Sequence, residues 1–103
     1  MSRPAQTALE RLHAGDRRGA LAALPDPAGA EEHAVAGMVH LATGDWAAAR
    51  AALATALGLG EAGPATLLNL ALAEDRLGAD GRARMRAVAA VWTQWDEPRL
   101  RLA

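Results

Sequence analysis

Residues 33–56 read His33-Ala-Val-Ala-Gly37-Met-Val-His40-Leu-Ala-Thr-Gly44-Asp45-Trp46-Ala-Ala-Ala49-Arg-Ala-Ala-Leu53-Ala-Thr-Ala56. On either side of Gly44-Asp45 lies a run rich in alanine, which favours helix over strand. Glycine suits the left-handed residue that ends a helix, and aspartate suits the N-cap that starts one. The stretch therefore predicts two helices joined by a two-residue turn. Gly37, Ala49 and Ala56 are small where two antiparallel helices must approach closely, and Leu53 fills the space between them.

The same punctuation runs through the rest of the chain. "PAQTALERLHAG" leads into Gly15-Asp16, and "RRGALAAL" stops at Pro25 and Pro27. "PATLLNLALAEDRLG" begins with a proline suited to a first helical turn and ends at Gly78. "DGRARMRAVAAVWTQW" continues until Asp96-Glu97-Pro98. Six helices in three short-linked pairs follow, in repeats of about 1–29, 30–63 and 64–95 with a tail at 96–103. Leu12-His-Ala-Gly15-Asp16 recurs as Leu41-Ala-Thr-Gly44-Asp45 and more loosely as Arg76-Leu77-Gly78-Ala-Asp80. Gly44 and Gly78 stand 34 residues apart.

A 34-residue helix–turn–helix period is that of the tetratricopeptide repeat, and the chain resembles that family most clearly over residues 30–63. His33, Ala36, Gly37 and His40 occupy the slots of its W-x2-L-G-x2-Y pattern, and Ala49, Leu53 and Ala56 those of A-x3-F-x2-A. One period later come Leu67, Leu70, Ala71 and Glu74, then Gly78, Ala83, Ala87 and Ala90. The first unit fits more loosely and is five residues short. The resemblance implies an all-α, single-domain solenoid of three antiparallel helix pairs. The departures imply thin packing: histidines stand for large aromatics, and Ala87 stands where phenylalanine is usual.

Composition agrees with an all-α fold. The 103 residues include no Ile, Phe, Tyr, Lys or Cys and only four Val. Net charge is −1, so no overall basic excess points to nucleic acid or an anionic membrane. Charge is unevenly spread: residues 19–80 hold eight acids against Arg50 and Arg76, while residues 82–103 hold five arginines against two acids. No apolar run reaches the roughly 18–20 residues of a membrane span. The start lacks the apolar core of a signal peptide, and a cytoplasmic protein is expected.

Residues able to carry chemistry are few. Gly58-Leu-Gly-Glu-Ala-Gly63 spells the G-x-G-x-x-G of a dinucleotide loop. Such a loop needs a buried strand before it, and here a helix precedes. These glycines instead join the second and third repeats. His33 and His40 are seven apart, about 10.5 Å along a helix, too far to share one metal ion unaided. The adjacent acids Glu31-Glu32, Glu74-Asp75 and Asp96-Glu97 diverge by about 100° on a helix and form no acid–base pair. Catalysis, a cofactor and a metal site are not expected, and a small enzyme or ligand carrier is disfavoured.

Protein binding is the expected function. The family resemblance places Leu9, Leu12, His13, Met38, Leu41, Leu68, Asn69, Leu72, Asp75 and Arg76 on a concave groove lined by first helices. Its apolar lining suits a partner's peptide or helix, although the chain's own tail or a second copy could cover it. Asn69 matches one position of the family's carboxylate clamp, but Ala5, Leu9, Val35 and Ala65 occupy the others, so that clamp is absent. Met85, Val88, Trp92 and Trp95 make a continuous stripe on the last helix, where a terminal repeat usually has a polar cap. The stripe is expected to dock a partner or a second copy as a homodimer, or to lie under the tail through Leu100 and Leu102. A scaffold or adaptor is the first reading of function; a dedicated chaperone for an assembly or secretion subunit is the second.

Overall fold

The computed structural model describes residues 2–61 and 63–78. They form five helices: α1 (Arg3–His13), α2 (Arg17–Ala22), α3 (Gly29–Thr43), α4 (Trp46–Gly58) and α5 (Pro64–Arg76). The described residues contain no strand, and the fold is all-α. The helix expected over 80–95, the stripe Met85, Val88, Trp92 and Trp95, and the tail at 96–103 lie outside the described residues.

Each helix end follows from its sequence. Gly44 adopts φ +81°, which costs an L side chain about 1–2 kcal/mol. Its N–H bonds the Leu41 carbonyl, and the next N–H, of Asp45, reaches back to His40 at 3.0 Å. The Asp45 carboxylate then accepts the Ala48 N–H at 3.1 Å, opening α4. Asp45 therefore closes one helix with its backbone and starts the next with its side chain. Gly15-Asp16 does the same: Gly15 has φ +85°, Asp16 N–H bonds Arg11 O at 2.8 Å, and Asp16 Oδ1 accepts from Gly19 at 2.8 Å. At the third joint the Glu61 N–H bonds Ala56 O, after which Gly63 and Pro64 start α5.

Between α3 and α4 the chain doubles back. Gly37, seven residues before the turn, faces Leu53, eight after it, and a Cβ on Gly37 would collide with Cγ of Leu53. Leu53, Ala49 and Ala56 are fully buried. Burying Leu53 contributes roughly 1.5–3 kcal/mol.

Two apolar clusters share α3. In one, Ala5, Ala8 and Leu24 meet Val35 and Ala36, with Leu9 and Ala52 packed against them. In the other, Leu41 meets Ala49 and Leu53 of α4 and Leu70, Leu72 and Ala73 of α5, with Trp46 and Leu57 at its edge. Among the described residues α1 lies against α2 and α3, and α5 against α3 and α4, while α1 does not meet α4 or α5. At the far edge the Arg76 guanidinium lies 5.6 Å from the Trp46 ring centroid, tying the end of α5 to the start of α4.

Candidate functional site

The ten groove candidates divide by exposure. His13 and Arg76 are exposed, and Leu9, Leu12 and Asp75 are half-buried. Met38, Leu41, Leu68, Asn69 and Leu72 are buried, none more than 5 % exposed. Leu41 and Leu72 are members of the cluster that joins α3, α4 and α5. Five of the ten therefore stand at the surface, and the other five are enclosed by the chain.

The reason is legible in α3. Residues 34–39 are buried without interruption, so most of the helix circumference is covered. A helix that is apolar on every side has no polar face to mark which side looks outward. Only its ends are polar. At the start, the Ala28 N–H bonds Glu32 Oε1 at 3.0 Å, standing in for a side-chain cap. That bond, the Ser2 hydroxyl and the nearby His33 hold the Glu32 carboxyl below its ordinary 4.5. Ser2 also caps α1 by accepting from the Ala5 N–H, so one hydroxyl bridges the starts of α1 and α3.

His33 and His40 are half-buried on α3. The His40 carbonyl accepts both the Asp45 N–H and, at 2.9 Å, the Thr43 hydroxyl. Among the described residues no group of three His, Cys, Asp or Glu side chains converges to hold a metal ion. Nor is any described helix long and apolar enough to cross a membrane.

Open concavities among the described residues include two of note. One of about 390 Å3 lies on α1 between Arg3, Gln6, Thr7 and Glu10 and is polar. The other, about 450 Å3, is lined by Ala47, Arg50, Ala51 and Ala54 of α4 and by Leu77. Leu77 is 42 % exposed, and the three alanines are exposed beside it. The groove candidates did not include this second surface. Its signal was present: Ala47, Ala51 and Ala54 follow i, i+4, i+7 along one helix face. Comparison with known proteins finds no matching family model, no similar protein among those with a curated description, and no similar solved structure.

Proposed function

We propose that the chain is a small helical-repeat module of the tetratricopeptide kind, three helix pairs stacked in a row, which binds a segment of a partner protein in the cytoplasm and performs no chemistry. The observation that carries this reading is the packing order. Among the described residues α1 does not meet α4 or α5, and successive first helices, α1 to α3 and α3 to α5, lie side by side. Such one-dimensional stacking leaves an extended surface along the row, which repeat proteins use for binding. The repeated Gly–Asp joints and the Gly37–Leu53 contact at the family's slots support the repeat assignment.

The accessible groove residues supply the partner contacts: Leu9, Leu12 and His13 on α1, and Asp75 and Arg76 at the end of α5. The test is affinity capture from the source cell with wild type and with Leu12→Glu and Arg76→Glu, each checked for unchanged helicity by circular dichroism. A partner held by wild type in stoichiometric amount and lost by both variants is expected. A captured set that is the same for all three proteins would contradict the reading.

A further inference from the structure

We draw no further inference here: the strongest candidate, the concavity along α4 lined by Ala47, Arg50, Ala51 and Ala54 and closed at one edge by Leu77, is a stripe of small residues, and nothing in the structure shows what covers it.

Discussion

Gly37 sits in the middle of a helix, where glycine costs about 1 kcal/mol relative to alanine. Propensity alone says that Gly37→Ala stabilises. The packing says otherwise, because an added Cβ would collide with the side chain of the fully buried Leu53. Overpacking of this kind costs about 1–3 kcal/mol, so the urea midpoint is expected to fall rather than rise. Leu53→Ala is expected to cost about 2–5 kcal/mol by opening a cavity. In the double variant the added methyl occupies vacated space, so the combined loss should be smaller than the sum of the two. Glu32 offers a different residue-scale test. Its carboxyl titrates below its ordinary value, chiefly through the Ala28 N–H and then Ser2. A depressed folded value means that its contribution is whole above 4.5 and is lost as the pH falls through the lower folded value. Glu32→Gln is expected to lower stability at neutral pH and to flatten the loss of stability in that acid range, read from midpoints at pH 3 to 7.

The helices themselves were largely legible in advance, because glycine, aspartate and proline mark their limits. Gly44 and Asp45 end α3 and begin α4 where the spelling places them, and the hydrogen bonds show why. Asp45→Ala removes the side-chain acceptor of the Ala48 N–H and is expected to cost about 1 kcal/mol, while Asp45→Asn, which keeps an acceptor, costs less. Denaturant midpoints of the three proteins give that order directly. α2 is the weak element. It has six residues, ending at Ala22 with Leu24 buried just beyond it. Helices this short do not stand without tertiary support. That support comes from Ala20 and Leu24 packed towards α1 and α3, and from the Arg11 guanidinium bonded to the Gly19 carbonyl at 3.0 Å. Amide exchange is expected to be fastest in α2 and slowest in the facing halves of α3 and α4. Equal protection in α2 and α4 would contradict this.

At the scale of the molecule, small residues at fixed spacing announce which helices approach each other, but not which side of each helix remains open. Met38, Leu41 and Leu72 belong to helices with too little polar surface to show an outward side, and the structure buries them. The accessible part of the expected groove is confined to α1 and the last turn of α5. Among the described residues α1 and α5 do not meet, as the proposed row of stacked pairs requires. The α1 cluster reaches Val35 and Ala36 of α3, with Ala52 of α4 packed against it, and the α5 cluster begins at Leu41. The most direct test of this neighbour-only packing is a methyl-resolved nuclear Overhauser spectrum of the full chain. Leu53 methyls should show strong effects to the Gly37 α-protons, Ala8 methyls to Val35 or Ala36, and Ala5 and Ala8 none to Leu70, Leu72 or Ala73. Effects between α1 and α5 methyls would instead mean one closed core, and the row of stacked pairs would have to be abandoned.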